Sequence, residues 1–170
     1  MSPIQDEIKQ QRPFRSRGQE GLLSLLRTAD QVKRQIASVV EPYGLTLQQF
    51  NVLRILRGAG ASGLPTLDIA ERMIEQAPGI TRLLDRLEKK ALVGRERCPQ
   101  DRRQVLVAIT PGGLRLLARL DRPVAEADDT LLAHLGSRRT ITLIRLLDAV
   151  RKKPPARRSP SPRSPKEKKA

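Results

Sequence analysis

Cysteine, histidine and aromatic side chains are nearly absent from this 170-residue chain. A single cysteine, Cys98, rules out an internal disulfide framework. A single histidine, His134, leaves too little for a zinc site built from Cys and His, so no metal is expected. No Gly-rich phosphate loop stands in the sequence either, and we expect neither an enzyme nor a cofactor. The aromatic residues are Phe14, Tyr43 and Phe50, too few to form the stacking platforms that bind single strands and RNA. No apolar run approaches the length of a membrane span. Residues 1–20 are polar and lack the apolar stretch of a signal peptide, so a cytoplasmic, nucleoid-associated protein with no membrane partner is expected. Acidic residues are also scarce: 18 Asp and Glu face 33 Lys and Arg, for a formal charge of +15. Such a balance bears on partners rather than on fold, and it favours a polyanion.

What is present is mostly helical periodicity. Residues 1–18, with Pro3, Pro13 and Gly18, read as a flexible arm. From Gln19 to Val40 apolar residues recur in steps of three and four, which predicts one long amphipathic helix ended by Pro42 and Gly44. Thr46 followed by Gln49 matches a capping box and opens a second helix through Phe50, Leu53 and Leu56. Thr66 is read as the cap of a short helix, Leu67 to Met73, and Pro78 as the first residue of another that reaches about Lys90. The period then changes. Leu92–Cys98 and Val105–Ile109 read as strands, and Pro99–Gln104 joins them as a hairpin with a basic tip. Thr110–Pro111 starts a helix that Pro123 should bend or break, and Gly136–Ser137 starts the last one. Residues 153–170, rich in proline, serine and charge, cannot form a core and are expected to be a disordered basic tail. The fold class is therefore mainly α with a small β-hairpin (α+β).

At this point the sequence resembles the MarR-type winged helix–turn–helix regulators. The resemblance is carried by LTLQQFNVLRIL at 45–56, IAERM at 69–73, ITRLLDRLEKKALVGR at 80–95, QDRRQVLVAIT at 100–110 and the PGG that follows. It covers about residues 19–152, with a DNA-reading lobe at 45–110 and dimerisation helices at 19–41 and 111–152. The resemblance implies a homodimer on double-stranded DNA, with two recognition helices in successive major grooves and two wings over the backbone and minor grooves. It also implies gene regulation, usually repression, often relieved by a small aromatic ligand in the cleft between the dimer helices and the reading lobe. The rival reading is an architectural, nucleoid-type DNA binder with little sequence preference.

On that basis Gln76, Pro78, Gly79, Thr81, Arg82 and Arg86 are the expected DNA contacts of the recognition helix. With Pro78 as the first helical residue and Ala77 as its cap, the amides of Gly79 and Ile80 would lack a side-chain partner and suit a phosphate. Arg82, one turn in, suits a bidentate contact to guanine, and Arg86 lies four residues further on the same face. The bland alternative has both arginines paired with Asp85 and Glu88. On the wing, Asp101 and Arg103 match the family's acid–x–arginine pattern, and Arg102 or Arg103 would enter the minor groove. The family commonly has glycine where Ile74 and Ala91 stand. A non-glycine residue in a left-handed conformation costs about 1–2 kcal/mol, so either the turns differ or Gly94 takes over. Cys98 is read as a small apolar filler and His134 as a residue near a helix end.

Overall fold

A computed structural model describes residues 2–75, 78–97 and 104–152. The chain divides into two units, Met1–Leu131 and Leu132–Ala170.

In the first unit α1 (Pro3–Glu7) is followed by α2 (Arg17–Val40), α3 (Leu47–Ala59) and the short strand β1 (Leu64–Pro65). Next come α4 (Thr66–Arg72), α5 (Ile80–Lys89), β2 (Val93–Arg97), β3 (Val105–Ile109) and α6 (Pro111–Leu132). The second unit holds α7 (Gly136–Arg151). The mainly helical class with a small antiparallel sheet is the one the sequence predicts.

Local chemistry explains most helix starts. Ser16 caps α2 by accepting from the Gln19 amide. Thr46 and Gln49 form the predicted capping box, each side chain accepting from the other's amide at 3.1–3.2 Å. At the start of α6 the Thr110 hydroxyl accepts from the Gly113 amide at 3.1 Å and donates to the Ala91 carbonyl at 2.7 Å. One core then joins the elements of this unit. Val52, Leu53 and Leu56 of α3, Ile69 of α4, Leu84 and Leu87 of α5, and Leu117 and Leu120 of α6 are all buried in it.

Several elements depart from the sequence reading. Within the segment expected to be a loose arm, Pro3–Glu7 form a helical turn that buries Ile4, and Glu7 pairs with Arg27 of α2. Thr66 is the first residue of α4 rather than its cap; Pro65, paired with Leu106 in the sheet, holds the cap position. Pro78 does not open α5, because Gly79 is the N-cap and the helix begins at Ile80. Pro123 does not break α6, which runs unbroken through it. Leu117 and Leu120 before the proline and Val124 after it are buried in the same core. That packing outweighs an interior proline's cost of about 3 kcal/mol.

The sheet has three strands rather than a bare hairpin, in the order β1-β3-β2, both pairs antiparallel. Leu64 faces Val107, and Val93 faces Ile109. Gly63 admits the third strand: its φ is +66°, and a Cβ there would stand 2.7 Å from the Val107 carbonyl oxygen.

Candidate nucleic-acid interface

α5 has one wholly apolar face. Leu83, Leu84 and Leu87 are buried and Ile80 is half-buried, so Thr81, Arg82 and Arg86 are turned to solvent. This is the spacing the sequence predicts for a helix that rests on a core and offers its other face to a ligand.

The N-terminal end of α5 is capped by no side chain. Gly79 takes φ +94° and ψ 32°, and its carbonyl accepts from the Leu83 amide at 3.2 Å. The amides without intrahelical partners are thus those at Gly79 and the first turn, Ile80 to Arg82, one to two residues later than the sequence suggested. Pro78 and Gly79 are exposed, and nothing lies within 4 Å of where a Gly79 Cβ would be. A backbone so bare, at the positive end of the helix dipole, can come close to a phosphate.

The C-terminal end of α5 is closed by Ala91, which takes the left-handed conformation at φ +56°. The Ala91 amide donates to the Glu88 carbonyl at 2.8 Å and the Leu92 amide to the Leu87 carbonyl at 3.0 Å, which is a Schellman closure. Of the two places where the family has glycine, Ala91 therefore keeps the left-handed geometry. Ile74 does not, and Gly94 does not substitute for it. Leu92 belongs to this closure, so β2 starts one residue later than predicted.

β2 is fastened to α5 by Arg95. Its guanidinium reaches Asp85 Oδ1 at 2.7 Å and Glu88 Oε2 at 3.2 Å, and its side chain is only 26% exposed. This decides the question left open by the sequence. The two acids on α5 pair with the wing strand, and among the described residues neither Arg82 nor Arg86 is in an ion pair. Sequence reasoning noticed Arg95 only as a neighbour of Cys98. The available signal was strand alternation, which puts Arg95 on the same face as the buried Val93. Arg86 lies one turn beyond Arg82, beside Lys89 and Lys90 and the start of α3. There Lys90 donates to the Gly44 carbonyl.

Gln76 of the expected recognition set, Asp101, Arg102 and Arg103 of the wing, Cys98, and the tail at 153–170 lie outside the described residues. No helix among the described residues is long and apolar enough to cross a membrane.

A second feature, missed by the sequence reading, is a cavity of about 240 Å³ in the first unit. Ile36 of α2, Phe50 of α3, Met73 after α4 and Val124 of α6 give it an apolar lining. Lys33 of α2 and Glu75, which pair with each other, line it too, as does Arg54, whose guanidinium sits 5.7 Å from the Phe50 ring centre.

Comparison with known proteins agrees with this architecture. Residues 45–105 match the model of the MarR family. The chain is 30% identical over 118 residues to the multiple antibiotic resistance protein MarR of Salmonella typhimurium, covering 69% of this chain and 81% of that protein. It is 42% identical to a MarR transcription factor from Planctomyces limnophilus of solved crystal structure, with a TM-score of 0.62, covering 81% of this chain and 99% of that one. It is 31% identical to the transcriptional repressor CouR, solved bound to a 23-mer DNA duplex, with a TM-score of 0.68, covering 75% and 89% of the two chains.

Proposed function

The chain belongs to the MarR family of winged helix–turn–helix, DNA-binding transcriptional regulators, and from that premise we propose that it is a repressor which holds a palindromic operator as a homodimer and leaves it when a small ligand fills the cavity. The observation that carries this reading is the uncapped first turn of α5, with Gly79 bare in front of it and Thr81 and Arg82 exposed on it. A major groove admits one helix, and side chains at its N-terminal end reach the base edges. In this reading Arg82 makes the bidentate base contact and Thr81 a shorter one. Gly79 and the first-turn amides take a phosphate, while Pro78 and Gln76 flank that contact. Arg86, further from the tip and beside Lys89 and Lys90, serves affinity more than base choice. Asp101 shapes the wing tip, and Arg102 and Arg103 bring charge to the minor groove. Arg95, by tying β2 to α5, fixes the wing relative to the reading helix. That CouR is a repressor solved on a duplex supports the repressor assignment.

Dimerisation is supported by apolar side chains left in water in each unit. Leu22 and Leu26 of α2 are more than half exposed in the first, as are Ile141, Ile144 and Val150 of α7 in the second. Monomers rarely leave such patches uncovered. The cavity is the proposed effector site. An apolar void of about 150 Å³ already admits benzene, so 240 Å³ suits one substituted aromatic ring.

Sedimentation tests the dimer. With a chain of 19.0 kDa, the free protein at micromolar concentration is expected at twice that mass, with two chains on each operator duplex. A folded monomer, or one chain per duplex, would remove the palindromic model.

A further inference from the structure

The cavity and α5 are joined by a single pair of charges. Lys33 projects from α2, while Glu75 stands in the connection between α4 and α5, four residues before the Gly79 cap. That connection is held at one further point, Met73, which is buried in the core and accepts at its sulfur from the Asn51 amide at 3.6 Å. Between the two anchors Ile74 is 82% exposed. Both partners of the ion pair also line the cavity. Whatever takes Lys33 from inside therefore releases the chain segment that leads into the reading helix.

Resting on the effector reading above, we propose that the Lys33–Glu75 ion pair is the latch between cavity and reading helix, and that it is opened by exchange: an organic monocarboxylate with an apolar body about one substituted ring in size replaces Glu75 on Lys33.

The charges choose an acid over an amine. An amine taking Glu75 would leave the Lys33 ammonium uncompensated on the same cavity wall as the Arg54 guanidinium. An acid taking Lys33 leaves a carboxylate on the movable segment, where its side chain is already 36% exposed and can enter water. Arg54, held over the Phe50 ring, adds a second positive charge toward the incoming carboxylate, and the apolar lining receives the ring. A neutral ligand of the same shape fills the cavity without touching the latch. The pair is partly exposed, so each partner has a modest effect, yet a modest bias suffices when the ligand binds only the unlatched state.

The test uses the full chain and a duplex that it selects from a random library. Without ligand, Lys33→Met and Glu75→Gln are each expected to weaken binding about three- to fivefold, the scale of a partly exposed pair, and the double variant no more than either single one. Additive losses, or none, would overturn the latch. Calorimetry with 4-isopropylbenzoate and its neutral amide then separates exchange from simple filling. The acid is expected to bind Glu75→Gln about three- to fivefold more tightly than the wild type and Lys33→Met more weakly, while the amide binds all three alike. If both probes bind and neither responds to Glu75→Gln, the cavity remains an effector site and the exchange is overturned. If neither probe binds any variant, the effector reading falls and takes the exchange with it.

Discussion

Arg82 and Arg86 share a helix face but not their surroundings. Arg82 stands on the uncapped first turn, while Arg86 belongs to a group of three cations beside α3. Asp85 and Glu88, the nearest acids, are engaged by Arg95. A guanidinium without an internal acid, at the tip of a helix that fits a major groove, is available to guanine. Arg82→Ala is therefore expected to cost about 1–3 kcal/mol in operator binding and to relax the preference at one base pair in each half-site. Repeating a binding-site selection with the variant checks this, and an unchanged motif at unchanged affinity would take Arg82 out of the reading set. The exposure of these arginines was legible in the sequence, because Ile80, Leu83, Leu84 and Leu87 fix the buried face. Which acid pairs with which base was not. Helix spacing brings Asp85 close to Arg82 as readily as strand pairing brings it close to Arg95, and only tertiary packing chooses between them.

Among the elements, α5 combines two unusual ends. Its start depends on Gly79 at positive φ, and its finish on Ala91 in a conformation that favours glycine. The two hydrogen bonds of the Schellman closure and the Thr110 hydroxyl on the Ala91 carbonyl hold that strained alanine in place. Ala91→Gly relieves a strain of about 1–2 kcal/mol and restores unfolded-state freedom worth about 0.4–1 kcal/mol. A net gain of up to about 1 kcal/mol is thus expected, read as a higher midpoint in urea unfolding. A lower midpoint would mean that the Ala91 methyl contributes packing that outweighs the strain. Element types were largely readable here, and boundaries were less so. The capping box at Thr46 and Gln49 acts within four residues, so it was visible. β1 was not, because two residues show no period and their pairing with β3 depends on chain more than forty residues away. Pro123 misled for a similar reason: local chemistry favours a break, and buried neighbours on both sides override it.

For the whole molecule, the formal charge of +15 explains attraction to DNA but not choice among sequences. Choice has to come from α5, and from two copies of it at a fixed spacing. The exposed apolar faces of α2 and of α7 each call for a cover, and a second chain supplies one under twofold symmetry. Net charge, helical stripes and the order of elements were therefore enough to indicate a dimeric DNA reader. The cavity was not, since its walls come from residues as far apart as Lys33 and Val124. The most direct test of the account is one binding measurement. Duplexes are selected from a random library by the full chain, and the affinity for the selected sequence is compared with that for a scrambled duplex at near-physiological salt. The account predicts a palindrome with half-sites about 10 base pairs apart, bound at least about a thousandfold more tightly than the scrambled duplex. Equal affinity for the two, rising together as salt is lowered, would contradict it and leave an architectural DNA binder in its place.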